Sequence, residues 1–171
     1  MTKGSAVKAD TERDFREYVV TRQAHLLRTA ALLTGDRSRA EDLLQTVLTE
    51  AATRWDRIRR TDNPDAYVRR MLYNEQISWW RRAVVNRERS TDRVPEVPVV
   101  PDDADLRLTL AAALRQLTPS QRAMVVLRYY EDLPEAQVAE ILGCSVGTVR
   151  SQTHRAITRL RKLDPSLETI T

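Results

Sequence analysis

Residues 133–160 read LPEAQVAEILGCSVGTVRSQTHRAITRL, and the reading of the whole chain works outward from them. Val138, Ala139 and Leu142 fall on one face of a short first helix, and the small Ala139 lets a second helix cross close to it. Gly143 stands where a helix end needs positive φ, which a residue without Cβ adopts at no steric cost. Ser145 is placed to cap the next helix, whose Val149, Ala156 and Leu160 return an apolar stripe to the same small core. Arg150, Ser151, His154 and Arg155 are spaced i, i+1, i+4 and i+5, so they share a stripe turned away from Val149 and Ala156. This is the pattern of a helix-turn-helix whose second helix reads double-stranded DNA. The alternative is an amphipathic hairpin with a solvated basic face, and the Ala-Gly-Val spacing favours the DNA reader.

Composition bounds the remainder. In a chain of 171 residues, 42% hydrophobic and 5% aromatic content suits small helical units better than one large core. The formal charge is only +4, yet residues 54–89 hold ten arginines against five acids, while residues 94–106 hold four acids and no base. The basic stretch is the electrostatic footprint of a polyanion partner. Cys144 is the only cysteine, which excludes an internal disulfide and a cysteine-based zinc cluster; a small hydrophobe in the turn is the plain reading and a redox sensor the other. No apolar run approaches transmembrane length and the N-terminus has no signal-peptide core, so a soluble, intracellular protein without membrane insertion is expected.

Punctuation then divides the chain. Residues 11–33 carry Phe15, Val19, Leu26, Ala30 and Leu33 at helical spacing and are closed by Gly35. A second helix is predicted from about residue 36 to 55. Asn63-Pro64 is a cap and first-turn pair that starts a third, running through Trp79 and Trp80 to about residue 86. Pro95, Pro98 and Pro101, with Glu96, Asp102, Asp103 and Asp105, read as an extended acidic linker. Helix resumes over 106–117, and Thr118-Pro119-Ser120-Gln121 is a capping box with proline at the first helical position. The expected fold is all-α: two small helical domains joined by an acidic, proline-containing linker, the second domain containing the helix-turn-helix.

Three segments in this order, AEDLLQTVLTEAATRW (40–55), NPDAYVRRMLYNEQISWWRR (63–82) and LTPSQRAMVVLRYYEDLPEAQVAEILGCSVGTVRSQTHRA (117–156), resemble the extracytoplasmic-function (ECF) group of bacterial RNA polymerase sigma factors. The resemblance covers nearly the whole chain. It implies a region 2-like domain over residues 1–89, a linker over 90–105 and a region 4-like domain over 106–171.

Residue roles follow from the resemblance and stand beside plainer readings. Leu43, Leu44, Val47, Leu48 and Ala51 form a buried stripe with Asp42 and Gln45 on the opposite side. By themselves Asp42 and Gln45 read as a solvated helix face; the resemblance makes them the contact for the coiled coil of the polymerase β′ subunit. It assigns capture of the minus-10 element as a single strand to Asn74, Ser78, Trp79, Trp80, Arg81 and Arg82, with the preceding loop at 56–63. Asn74 can bond a base edge and the indoles can stack on bases, although adjacent residues point about 100° apart, so one tryptophan is expected buried and one near DNA. Ser78 stands where many relatives have an acid. For the minus-35 element Arg122 is expected near the phosphate backbone or the edge of the element, Arg150, Ser151, His154 and Arg155 match the family's reading positions, and Gln152 stands where relatives often carry a basic residue. Gln152 can read adenine, and Thr153 weakens the apolar stripe where relatives often carry a large apolar residue. His154 lacks a second histidine in its own module, so a nucleic-acid contact is expected and no metal. In such proteins the linker threads towards the active-site cleft of the polymerase; its acids mimic nucleic acid there or serve as a plain spacer.

The expected function is therefore an alternative sigma factor: a cytoplasmic, non-enzymatic subunit that binds core RNA polymerase through β′ and β, directs it to promoter DNA and helps open the minus-10 element. An anti-sigma partner is common in the family. No cofactor motif or catalytic constellation is visible, and glycine occurs only four times. The competing readings are a stand-alone helix-turn-helix repressor or activator, and a helical scaffold with incidental basic charge.

Overall fold

A computed structural model describes residues 3–87 and 105–163, and among them the only regular structure is helical. Four helices come first: α1 (Lys3–Thr34), α2 (Arg37–Thr53), the single turn α3 (Trp55–Ile58) and α4 (Pro64–Arg87). Then follow α5 (Asp105–Arg115), α6 (Pro119–Val125), a π-helical turn (Val126–Tyr130), α7 (Glu135–Leu142) and α8 (Val146–Leu163). The stretch read as an acidic linker lies outside the described residues, apart from Asp105, which opens α5.

The helix starts are chemical. Asp36 accepts the Arg39 N–H at 2.8 Å to cap α2, and Asn63 accepts the Ala66 N–H at 2.9 Å ahead of Pro64. Thr118 and Gln121 form the reciprocal capping box of α6, and the Ser145 hydroxyl accepts the Thr148 N–H at 3.1 Å to start α8. Gly143 ends α7 at φ 64°, as the turn requires. Two boundaries differ from expectation. The first helix reaches back to Lys3, and there Asp14 accepts the Trp55 indole N–H at 2.8 Å while Phe15 and Tyr18 pack on the same ring. Drawing Trp55 into that contact breaks the second helix at Arg54 and leaves Trp55 only 3% exposed, at the head of its own short turn.

In the N-terminal unit Leu26, Ala30 and Leu33 of α1 meet Ala40, Leu43, Leu44, Val47 and Ala51 of α2 and Val68 and Leu72 of α4, all buried. In the C-terminal unit Leu114, Met124, Leu127, Val138, Ala139, Val149, Ala156 and Leu160 form the corresponding core. Thr153 joins that core at 8% exposure with its hydroxyl unpartnered, a polar insertion into the apolar stripe, as anticipated. At the π turn the Glu131 N–H bonds back five residues to the Val126 carbonyl at 3.0 Å, and Asp132 follows at φ 52° to reverse the chain.

The two units pack against each other, which the sequence left open. Glu131 is the centre of the seam. Its carboxylate is almost wholly buried; it accepts the Thr29 hydroxyl of α1 at 2.7 Å and the Arg69 guanidinium of α4 at 2.7 Å, with His25 Nε2 at 3.6 Å. The Tyr73 hydroxyl is buried with no hydrogen-bond partner of normal geometry, and burial first, then the Glu131 charge, push its pKa up. Arg70 pairs with Glu140 of α7 at 2.7 Å, and the His25 ring stacks on Tyr130. The turn between α1 and α2 closes the other end of the seam: a Cβ on Gly35, at φ 70°, would fall 2.5 Å from Arg122 Nη1 and 2.9 Å from Arg115 Cγ.

Candidate nucleic-acid interface

The reading helix presents its stripe as the spacing demands. Val149, Thr153, Ala156, Ile157 and Leu160 face inward, while Arg150, Ser151, His154 and Arg155 are exposed along the outer side of α8. Arg150 donates to Glu135 of α7 at 2.8 Å. That hydrogen bond, foremost, holds the Glu135 carboxyl below its ordinary range and the guanidinium above its own. Both side chains meet water, so the pair orients Arg150 across the turn while remaining exchangeable for a base or a phosphate. Gln152 is half-buried, and its amide oxygen accepts from Gln121 Nε2 at 3.1 Å, so the capping-box glutamine also holds the Gln152 side chain. Cys144 is half-buried in the turn, and burial raises its pKa, which favours the small-hydrophobe reading over a reactive thiolate.

Arg122 departs from expectation. It is 8% exposed and turned inward: Nε donates to the Leu114 carbonyl at 2.9 Å, Nη2 to the Arg115 and Leu117 carbonyls at 3.2 and 3.4 Å, and Nη1 to the Thr34 carbonyl at 2.9 Å. Burial, then the neighbouring charges of Arg115 and Arg39, lower its pKa. In this arrangement the guanidinium satisfies the carbonyls that end α5 and α1 and is not available to a phosphate.

On α4, Asn74, Trp79, Arg81 and Arg82 are exposed, and Ser78 and Trp80 half-buried. Neither tryptophan is buried, contrary to the expectation that one would be. The Trp79 indole is 42% exposed, with the Arg39 guanidinium 5.0 Å from its ring centroid. One face of that indole is thus covered by a cation. Arg82 pairs with Glu75 at 2.7 Å. Arg81 extends to the helix-turn-helix, its Nη2 lying 3.5 Å from the position a Cβ would take on Gly143. Asp42 and Gln45 are both exposed on the outer side of α2, opposite the buried Leu43, Leu44 and Val47. Sequence reasoning missed Arg39 and Glu135. Each acts on a residue of another helix, and nothing in its local pattern marks it.

A basic reading helix, an exposed indole on a basic helix and an acid–amide face thus occur on one all-helical chain. The family description Sigma-70 region 2 matches residues 12–84, and Sigma-70, region 4 matches residues 107–160. The RNA polymerase sigma-E factor of Streptomyces coelicolor is 43% identical over 153 residues, 87% of this chain and 85% of that protein. The ECF RNA polymerase sigma factor SigL of Mycobacterium tuberculosis is 37% identical over 81% of each chain. The chain belongs to the ECF group of the sigma-70 family. This ECF sigma factor also shares its fold with the sigma factor RpoE of Bartonella quintana, solved in complex with the anti-sigma factor NepR: TM-score 0.72, 27% identity, 91% of this chain and 99% of that one. CnrH, solved with the cytosolic domain of CnrY, gives a TM-score of 0.57 at 20% identity over 95% of this chain and 97% of that one. Family membership makes this ECF sigma factor a non-enzymatic specificity subunit that directs RNA polymerase to promoters. Among its described residues no helix is long and apolar enough to cross a membrane.

Proposed function

We propose that this sigma factor divides promoter recognition between its two units: residues 1–89 hold core polymerase and catch the opened minus-10 strand, residues 106–171 read the minus-35 element, and residues 90–105 connect them. The reading rests on one observation above others, that the side chains of three separate surfaces are presented outward. These are Asp42 with Gln45, Asn74 with Trp79, Arg81 and Arg82, and Arg150 with Ser151, His154 and Arg155. Asp42 is placed to make charge-assisted bonds with a basic helix such as the β′ coiled coil, which favours specificity over affinity. Extruding a base costs a few kcal/mol and stacking returns about 1–3 kcal/mol, so Trp79 suits capture of a strand without fuel. The protein acts in the cytoplasm, where polymerase and promoters are. RpoE, in its complex with NepR, supports including an anti-sigma partner in this proposal.

The test is to combine the full chain with core RNA polymerase and a promoter library and sequence the initiated transcripts. Specific start sites are expected. Operator binding without polymerase dependence would instead indicate a repressor, and neither activity a scaffold. Asp42→Ala should weaken binding to core polymerase on the order of tenfold while leaving binding of a minus-35 duplex unchanged. Trp79→Ala should cost about 1–3 kcal/mol in capture of a single-stranded minus-10 oligonucleotide by the assembled holoenzyme, measured as a shift in dissociation constant; an unchanged constant would remove Trp79 from the site.

A further inference from the structure

The capping box of α6 carries one hydrogen bond more than capping needs. The Thr118 N–H donates to Gln121 Oε1 at 3.4 Å, and Gln121 Nε2 donates in turn to Gln152 Oε1 on α8 at 3.1 Å. Direction along this relay is set at its start. A backbone N–H can only donate, so it takes the oxygen end of the Gln121 amide and leaves the nitrogen end for α8. That nitrogen has only protons to offer, so the end of the Gln152 amide that meets it is oxygen. What Gln152 retains for a ligand is its NH2 end, which only donates. The residue is half-buried on the flank of α8, with the exposed Arg155 as its i+3 neighbour.

We propose that Gln121 is a positioning residue that sets specificity: it fixes the Gln152 amide with the NH2 end free for DNA, so that position 152 seeks a hydrogen-bond acceptor. The inference rests on the proposed reading of the minus-35 element by α8. Bidentate recognition of adenine needs both ends of an amide, the oxygen for the N6 amino group and the nitrogen for N7. With its oxygen engaged by Gln121, Gln152 is suited instead to guanine, whose N7 and O6 both accept, to O4 of thymine, or to a phosphate oxygen. The expected reading of adenine is thereby replaced. Glutamate at position 121 would reverse the sense. Its carboxylate still accepts the Thr118 N–H and closes the capping box, but it offers α8 a second oxygen, so Gln152 must turn its NH2 inward and its oxygen outward. Position 152 would then seek donors, the N6 amino group of adenine or the N4 amino group of cytosine, and would repel a phosphate.

The test has two arms. In the free full chain, followed by NMR, the side-chain NH2 of Gln121 should exchange with water about tenfold more slowly than that of Gln152, and should lose this protection in Gln152→Leu. Equal exchange would overturn the relay. In the second arm, holoenzyme assembled with core polymerase is titrated with the minus-35 sequence it selects from a promoter library, with duplexes in which each base pair is replaced in turn, and with a scrambled duplex. Gln121→Glu should keep the wild-type melting midpoint and shift the preference at one base pair by about threefold to tenfold, from guanine or thymine towards adenine or cytosine. If the acceptor is a phosphate, the variant should instead weaken cognate and scrambled duplexes alike, by about threefold to tenfold more than Ser120→Glu, which adds the same charge outside the relay. Gln152→Lys, a donor that cannot be reversed, should make the preference independent of residue 121. An effect of Gln121→Glu no larger than that of Ser120→Glu, or a shift towards guanine or thymine, would overturn the proposal. A protected Gln121 amide in a holoenzyme that does not distinguish cognate from scrambled minus-35 duplexes would overturn the proposed reading of that element, and not the relay.

Discussion

Arg122→Ala is expected to destabilise the chain by about 3–5 kcal/mol, read as a lower melting midpoint by calorimetry. The side chain donates to the carbonyls of Leu114, Arg115 and Leu117 and, across the seam, of Thr34. Leu114 keeps the Leu117 N–H at 3.1 Å, so the carbonyls of Arg115, Leu117 and Thr34 bear the loss; each buried carbonyl left without a donor costs about 1–3 kcal/mol, and water entering the vacated space recovers part of the sum. Lysine should not rescue it. An ammonium is a point donor on a flexible stem and cannot span carbonyls that a planar guanidinium reaches together, so Arg122→Lys should recover less than half of the loss. The measurement also separates two roles for the residue. A phosphate contact would leave the melting midpoint unchanged and flatten the salt dependence of DNA binding; the geometry requires the reverse.

Arg150→Ala and Arg155→Ala are each expected to weaken binding of a cognate minus-35 duplex by roughly tenfold to a hundredfold, the discrimination supplied by a bidentate arginine at a base edge. Stability should hardly change. Arg155 is exposed, and Arg150 loses only the solvent-facing pair with Glu135. The informative comparison is with a scrambled duplex. A reader of bases loses affinity for the cognate sequence and little for the scrambled one, whereas a phosphate contact loses both equally and reduces the salt slope by about one. Equal loss on both duplexes would move the residue from reading to positioning. Glu135→Gln is the companion variant: it frees Arg150 without removing it, so discrimination should fall by less than in Arg150→Ala.

What was legible in the sequence was local. The helix-turn-helix, the caps at Asn63, Thr118 and Ser145, the positive φ at Gly143 and the outward stripe of α8 each depend on residues within one or two turns of each other. Propensity and periodicity report on that range. The seam was not legible because its members are far apart in sequence and individually ordinary: a threonine within α1, an arginine among many on α4 and a glutamate after Tyr130. Arg122 misled for a related reason. Its charge was visible, but the number of unsatisfied carbonyls awaiting it depended on how α5 and α1 end in space. Trp55 altered the second helix because its partner, Asp14, lies 41 residues upstream. Trp79 escaped burial because α4 carries it past the core to meet Arg39 of α2.

The π turn at Val126–Tyr130 sets where the chain reverses. Its extra residue is absorbed inside the turn, where the Glu131 N–H pairs five residues back with the Val126 carbonyl, and it carries the helix to the point at which Asp132, at φ 52°, turns the chain around. Deleting one residue between 126 and 130 would force that turn back to four-residue pairing and move the point of reversal, drawing Glu131 out of register with Thr29 and Arg69. Chain length at this one turn therefore fixes where the carboxylate of the seam sits, as the length of a pendulum fixes where its bob hangs.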